Sequence, residues 1–118
     1  MTDFRTIYHV CRRAEWQTAT ASGRYSGSSQ DAADGFIHFS TRPQLVESVA
    51  KHRAGQTELV LIAADPARLA PDLKWETSRG GALFPHLYGP LPLAAVKWIK
   101  ELPLDAASGR HVFPELED

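Results

Sequence analysis

The stretch ELVLIAA, residues 58–64, is apolar at nearly every position after its glutamate. Such an unbroken run predicts a central β-strand covered on both faces, because a strand with one solvent-facing side would alternate apolar and polar residues. Asp65-Pro66 then turns the chain away. We therefore expect the fold to be built around this strand.

Helices are predicted on the N-terminal side of that strand. Residues 13–21 are expected to form one helix, with Gly23 as its stop signal. A second helix is expected after Thr41, because the proline two residues later pre-sets φ where no backbone donor is needed. Gly55 marks its end.

Short strands and turns account for most of the remaining chain. Residues 84–92 carry prolines around a histidine, which favours an edge strand or a shaped loop. The final residues, 115–118, are expected to fray. Strands are also expected at 5–10, 36–40, 74–76, 94–102 and 111–113, with a turn at 78–81. Strands outnumber helices and the helices fall early, which predicts a single α+β domain over the 118 residues.

The composition excludes several classes of protein. Thirteen basic and fourteen acidic residues leave a net charge of -1, so binding of extended nucleic acid has no electrostatic support, whereas a nucleotide ligand does not need it. The single cysteine, Cys11, excludes an intramolecular disulfide and a multi-cysteine metal site. No apolar run approaches the roughly 18 residues of a membrane span. We expect a cytoplasmic protein without a membrane partner, and the sequence does not predict its oligomeric state.

Three histidines, His9, His38 and His86, lie in apolar or aromatic stretches. Imidazole can donate or accept a proton near neutral pH, so its repeated placement among inward-packing residues predicts a shared cleft. The alternative is that each is a core-edge histidine hydrogen-bonded to backbone.

The densest signal is the segment DGFIHFST, residues 34–41. In a strand, alternation places Phe36, His38 and Ser40 on one face. A histidine and a hydroxyl on the same face are suited to gripping a ribose or a phosphate. Thr41 either adds its hydroxyl to that site or only caps the following helix.

Four further side chains are candidates for the same site. Glu76 follows a tryptophan and is either an acid, base or oxocarbenium stabiliser or a solvated strand-end residue. Tyr88 either stacks on a planar ligand or packs in the core. Arg24 and Tyr25, in a Gly/Ser-rich segment, either close over a ligand and pair with a phosphate or belong to an ordinary surface loop.

A metal site is a competing interpretation of the same residues. The three histidines and Glu76 are chemically adequate zinc ligands. No pair of them has the close helical spacing of common zinc motifs, so no metal ligand is predicted.

Four stretches taken together resemble one family: Ile7-Tyr8-His9, residues 34–40, Trp75-Glu76, and FPHLYGPL at 84–91. Their order and spacing resemble the domain of unknown function 952 family of small bacterial proteins, over residues 7–98. That family is similar in fold to ADP-ribosyltransferases and RNA 2′-phosphotransferases. Those enzymes bind NAD or an ADP-ribosylated intermediate in a cleft between two small β-sheets.

The resemblance implies two small, mostly antiparallel β-sheets with a few helices. It implies that His9 contacts the nicotinamide-side ribose, that His38 and Ser40 support the nicotinamide pocket, and that Glu76 is the candidate catalytic glutamate. We therefore expect a protein that binds NAD or another nucleotide and transfers an ADP-ribosyl or phosphate group. The alternatives are a non-catalytic ligand-binding module and a histidine-rich, metal-dependent hydrolase. The expected catalytic residues are His38 and Glu76, and the expected ligand-binding residues are His9, Arg24, Tyr25, Ser40, Thr41, His86 and Tyr88.

Overall fold

A computed structural model describes residues 4–77 and 81–118, so most of the turn expected at 78–81 lies outside the described residues. Within these ranges the fold is α+β, with three helices and three antiparallel sheets. The strands are β1 (Ile7–Arg12), β2 (Ile37–His38), β3 (Leu59–Ala64), β4 (Leu73–Thr77), β5 (Leu83–Leu87), β6 (Val96–Leu102), β7 (Leu104–Asp105) and β8 (Arg110–His111). The helices are α1 (Arg13–Ala21), α2 (Ser29–Ala32) and α3 (Arg42–His52), with 3-10 turns at Pro66–Arg68 and Leu93–Ala95.

The apolar run forms β3, the middle strand of the sheet β1-β3-β6. All six of its residues are buried, as predicted. One face, including Ile62, packs into a cluster that contains Trp16 of α1. The other face, including Leu61, packs against Leu45 of α3. β3 is thus covered on both sides, which explains why its sequence does not alternate.

The second sheet has the order β2-β5-β4, and it corrects the expectation that residues 84–92 form an edge strand or a shaped loop, because 84–87 belong to a central strand. β5 is the central strand although it contains Pro85. The Pro85 carbonyl accepts a hydrogen bond from the N–H of Phe39 at 3.0 Å. The N–H and C=O of a residue in an antiparallel strand face the same neighbour. Pro85 has no N–H to donate toward β2. Because β2 has already ended at His38, the pairing of β2 with β5 loses no hydrogen bond there.

A two-way backbone contact joins the two sheets. The N–H of Tyr8 donates to the Ser40 carbonyl at 2.8 Å, and the N–H of Ser40 donates to the Tyr8 carbonyl at 2.8 Å. Ser40 therefore leaves the strand expected at 36–40 and pairs with β1 instead.

The helices expected at 13–21 and after Thr41 are confirmed as α1 and α3. The short helix α2 has no counterpart among the predictions. No helix in the described part of the chain is long and apolar enough to cross a membrane.

The C-terminal residues are held in place, contrary to the expectation that 115–118 fray. The buried Tyr8 hydroxyl donates to the Glu117 carbonyl at 2.6 Å and accepts from the Glu117 N–H at 2.8 Å. The Arg5 N–H donates to the Asp118 carbonyl at 3.1 Å. The tail is therefore fixed against β1, a long-range contact that local composition does not encode.

We expect Ile62→Ala to lower the free energy of unfolding by about 2–5 kcal/mol, because the side chain is 0% exposed and its loss leaves a cavity in the core. Ile99→Ala is the matched control: Ile99 pairs with Ile62 across the sheet but is 40% exposed. Urea denaturation followed by circular dichroism measures both variants. Equal losses would contradict the assignment of β3 as the buried centre of the sheet.

Candidate functional site

An open cavity of about 730 Å³ lies beside the second sheet. It is bordered by α3, by the segment from α2 to Phe36, and by residues of β2 and β5. His9, His38 and His86 all line it, together with Ser40. The structure therefore brings together the three histidines on which the sequence prediction of a cleft depends.

Strand alternation explains how two of these histidines reach the cavity. His38 of β2 and His86 of β5 are direct cross-strand partners. Their neighbours Ile37 and Leu87 point to the opposite face and are buried in the core. The two imidazoles therefore lie side by side on the cavity face of the sheet.

Phe36 packs against both of these imidazoles. Its ring centroid lies 4.5 Å from that of His38 and 4.1 Å from that of His86, with the His86 ring stacked on it. The centroids of His38 and His86 are 5.5 Å apart. Phe36 also lines the cavity, so the three rings form a compact surface there. We call Phe36, His38 and His86 the ring cluster.

His9 is buried at the edge of the cavity, and both of its ring nitrogens are engaged. Nδ1 donates to the His38 carbonyl at 2.7 Å, since a carbonyl can only accept. Nε2 then accepts from the Tyr25 hydroxyl at 2.5 Å. Burial lowers the pKa of His9, and the nearby Asp31 carboxylate offsets this only in part. His9 is therefore a neutral histidine whose ring is hydrogen-bonded within the protein. This agrees with the alternative interpretation of the sequence, a core-edge histidine bonded to backbone.

The carboxylate of Asp31 is the main anchor of His38. Oδ1 accepts from Nδ1 of His38 at 2.6 Å and from the His38 backbone N–H at 3.1 Å. Oδ2 accepts from the N–H and the hydroxyl of Ser28, at 2.7 and 2.9 Å. Burial alone would raise the pKa of Asp31, but these hydrogen bonds outweigh it and hold the pKa at about 2. Asp31 is therefore a buried anion at neutral pH.

A buried cation and a glycine complete this environment. Nη2 of Arg53 donates to the Ser28 hydroxyl oxygen at 3.2 Å and to the Val10 carbonyl at 3.0 Å. Gly27 has a φ of +110°, and a Cβ there would lie 3.1 Å from the Asp31 Cβ. Glycine at this position allows the chain to pass close to the carboxylate.

On the other side of the ring cluster, Glu76 of β4 anchors His86. Oε1 of Glu76 accepts from Nδ1 of His86 at 2.9 Å and from the Tyr88 hydroxyl at 2.6 Å. The hydrogen bonds from Tyr88 and then His86 lower the pKa of Glu76. Neither Glu76 nor Tyr88 is among the described residues that line the cavity. Glu76 reaches it through His86, and Tyr88 also packs on Phe36, with ring centroids 5.1 Å apart.

The remaining predicted residues lie elsewhere. Arg24 is exposed, and Tyr25 is a buried core residue rather than part of a closing loop, because its ring packs on Trp16 with centroids 5.1 Å apart. Thr41 is buried at the start of α3, where its N–H donates to Oε1 of Gln44 at 3.0 Å. That bond occupies the backbone N–H of Thr41. None of these three residues is among the described residues lining the cavity.

Asp31 and Arg53 were not found from the sequence. The spacing of Ser28 and Asp31 is that of a helix capping box, which the structure contains, so this signal locates α2 and its carboxylate. No sequence signal distinguishes Arg53 from the surface arginines. Cys11 is buried, and burial raises its pKa to about 11, which does not suit a nucleophile.

Among residues 4–77 and 81–118, no group of three or more His, Cys, Asp or Glu side chains is arranged to hold a metal ion. His9, whose ring nitrogens are both hydrogen-bonded within the protein, has no free nitrogen to offer a ligand.

Comparison with known proteins gives one family. Residues 10–99, more than half of the chain, match DUF952, described as a protein of unknown function. The crystal structure of protein CC0527 from Caulobacter crescentus matches with a TM-score of 0.85 and 50% identity, covering 91% of this chain and 93% of that one. Its solution NMR structure matches with a TM-score of 0.77 and 51% identity, over 88% and 90% of the two chains. No curated protein matches the chain.

We predict that Asp31 makes the stability of the protein depend on pH in the acid range. Its pKa is about 2 in the folded protein and 3.8 in its ordinary state, so its contribution is complete above pH 4 and is lost as pH falls through 2. Between pH 5 and 2, Asp31→Asn should therefore lose about 2 kcal/mol less unfolding free energy than the unmodified protein. Urea denaturation at each pH measures the difference.

Asp34→Asn is the matched control for this measurement. The Asp34 carboxylate lies 3.2 Å from Nε2 of the same histidine, His38, but is about half exposed. This variant should follow the unmodified protein across the pH range. Identical pH dependence of all three proteins would show that the buried carboxylate does not contribute as described.

Proposed function

The chain belongs to the DUF952 family, and we propose that its histidine-lined cavity binds a nucleotide, with NAD or an ADP-ribosyl compound as the reference ligand. The observation that carries this proposal is the ring cluster: two imidazoles and a phenylalanine ring packed together on the wall of one open cavity. Imidazoles donate hydrogen bonds to phosphate and ribose oxygens, and flat rings stack on bases.

The size and lining of the cavity support a ligand of this class. A volume of about 730 Å³ lies within the range of small-molecule sites. Lys51 of α3 lines the cavity, and its ammonium pairs with the exposed Glu47 at 3.1 Å. An ion pair exposed in this way contributes little to stability, so Lys51 can exchange Glu47 for a ligand phosphate at small cost.

The proposed activity is transfer of an ADP-ribosyl or phosphate group. Its support is the resemblance in the motif stretches, three of which contribute His9, His38 and His86 to the cavity. His38 is placed to touch the ligand because its side chain is 45% exposed. Glu76, the carboxylate expected to be catalytic, acts in this proposal through His86, which it anchors at 2.9 Å.

Two other functions use the same cavity and differ in their chemistry. A non-catalytic module would bind the nucleotide and leave it unchanged. A metal-dependent hydrolase would bind zinc through the histidines, although His9 would first have to give up its hydrogen bonds to the His38 carbonyl and to Tyr25. The proposed partner of the protein is in each case a small ligand.

We predict that NAD, ADP-ribose or a nucleotide monophosphate raises the melting temperature. Millimolar ligand with a Kd of ~10 μM stabilises the native state by roughly 2.7 kcal/mol, because it binds only the folded protein. For a domain of this size the shift is on the order of 10 °C. His38→Ala should abolish the shift, and differential scanning fluorimetry measures it.

His111→Ala is the control, since Nε2 of His111 bonds to the Gln56 carbonyl at 2.8 Å and His111 does not line the cavity. Its melting temperature should rise with nucleotide as in the unmodified protein. A response to zinc together with no response to any nucleotide would replace the proposal by the metal-dependent alternative. No response to either would refute both.

A further inference from the structure

The groups that can move protons at the edge of the cavity are imidazoles, not the carboxylate of Glu76. Oε1 of Glu76 already accepts from His86 and from Tyr88, and Glu76 is not among the described residues that line the cavity. A carboxylate that stabilises a positively charged sugar has to face that sugar. His38 and His86 do border the cavity, and their ring centroids are 5.5 Å apart.

His86 is held in one orientation with one nitrogen free. The carboxylate of Glu76 can only accept, so Nδ1 of His86 carries the proton of their 2.9 Å hydrogen bond. Nε2 has no hydrogen-bond partner among the described residues. The side chain of His86 is 8% exposed where it borders the cavity. A ring whose Nδ1–H is fixed by a carboxylate and whose Nε2 is unpaired among the described residues has the arrangement of a general base.

His38 has the complementary surroundings. Nδ1 donates to the buried Asp31 at 2.6 Å, and Nε2 lies 3.2 Å from the exposed Asp34. A carboxylate can only accept, so each ring nitrogen of His38 has an acceptor facing it. Because Asp34 is exposed, a ligand can displace it and receive the Nε2 proton. This is the arrangement of a general acid.

We propose that His86 and His38 form a general base–general acid pair that cleaves a ribonucleotide phosphodiester bond, with Glu76 and Asp31 as positioning residues. The proposal rests on the proposed nucleotide site and names its substrate class. The two rings belong to cross-strand partners, and Phe36 contacts both. The rings stand close enough for one phosphate group to meet them together.

The reaction needs only proton transfers from the protein. Nε2 of His86 removes the proton of the ribose 2′-hydroxyl, and that oxygen forms a bond to the adjacent phosphorus. The bond from phosphorus to the 5′-oxygen of the next nucleotide breaks, and His38 donates its Nε2 proton to that oxygen. The products are a 2′,3′-cyclic phosphate and a free 5′-hydroxyl. The ribose holds the nucleophile next to its phosphorus, so the substrate itself supplies the attacking group.

The test uses adenylyl-(3′→5′)-adenosine with the full chain, in the presence of EDTA. We expect conversion to adenosine 2′,3′-cyclic phosphate and adenosine, seen by chromatography and phosphorus NMR. The dependence of kcat on pH should be bell-shaped, because one histidine must be neutral and the other protonated. The 2′-deoxy dinucleotide should raise the melting temperature but remain uncleaved.

Variants separate the two histidines and test the carboxylate behind His86. His38→Asn and His86→Asn should each lower kcat by about 10²–10⁴-fold and remove one limb of the pH profile. Glu76→Gln should lower kcat with KM unchanged, because it disturbs only the orientation of the His86 ring. His111→Ala should retain the rate of the unmodified protein.

Several results would overturn the proposal. A dinucleotide that raises the melting temperature and is not cleaved would refute it and leave the proposed nucleotide site standing. Equal cleavage of the deoxy compound would exclude the 2′-hydroxyl as nucleophile, and this comparison needs no variant to fold. A melting temperature that no nucleotide changes would refute the site and the reaction together.

Discussion

The buried charge of Asp31 is the constraint on which this side of the molecule depends. A carboxylate removed from water has to be surrounded by donors, and here they come from three parts of the chain. Ser28 supplies two at the start of α2, His38 supplies two from β2, and Arg53 adds its charge from beyond α3 through the Ser28 hydroxyl. The hydrogen bonds that satisfy this one anion therefore fix the ends of two helices and a strand around the cavity. They also orient the His38 imidazole, which borders the cavity.

The sequence predicted those elements whose cause is local. β3 follows from its unbroken apolar run, and α1 and α3 follow from their start and stop residues. The sequence predicted an edge strand or a shaped loop at 84–92 and missed the central position of β5. The cost of Pro85 in a strand depends on where the neighbouring strand ends, and the residues of β5 do not encode that. The C-terminal tail was wrongly expected to fray for the same kind of reason, since the Tyr8 hydroxyl that holds it is distant in sequence.

The candidate site also combines features that are local in sequence with features that distant residues decide. His9, His38 and His86 have similar sequence surroundings, and all three line the cavity, but their hydrogen bonds give them different roles. Both ring nitrogens of His9 form hydrogen bonds within the protein, whereas His38 and His86 each donate one hydrogen bond to a carboxylate. Which carboxylate lies behind which imidazole is decided by strand register and by the path of the chain at Gly27. Composition and spacing along the chain do not specify either.

The pair of hydrogen bonds between Tyr8 and Ser40 has a consequence for the rigidity of the cavity. Because they join the two sheets backbone to backbone, the sheets cannot shear or hinge at this seam unless both bonds break. The shape of the cavity can then change only by side-chain rotation around Phe36 and by movement of its rim. A cavity with walls fixed in this way is preorganised, and a preorganised site loses little conformational entropy on binding.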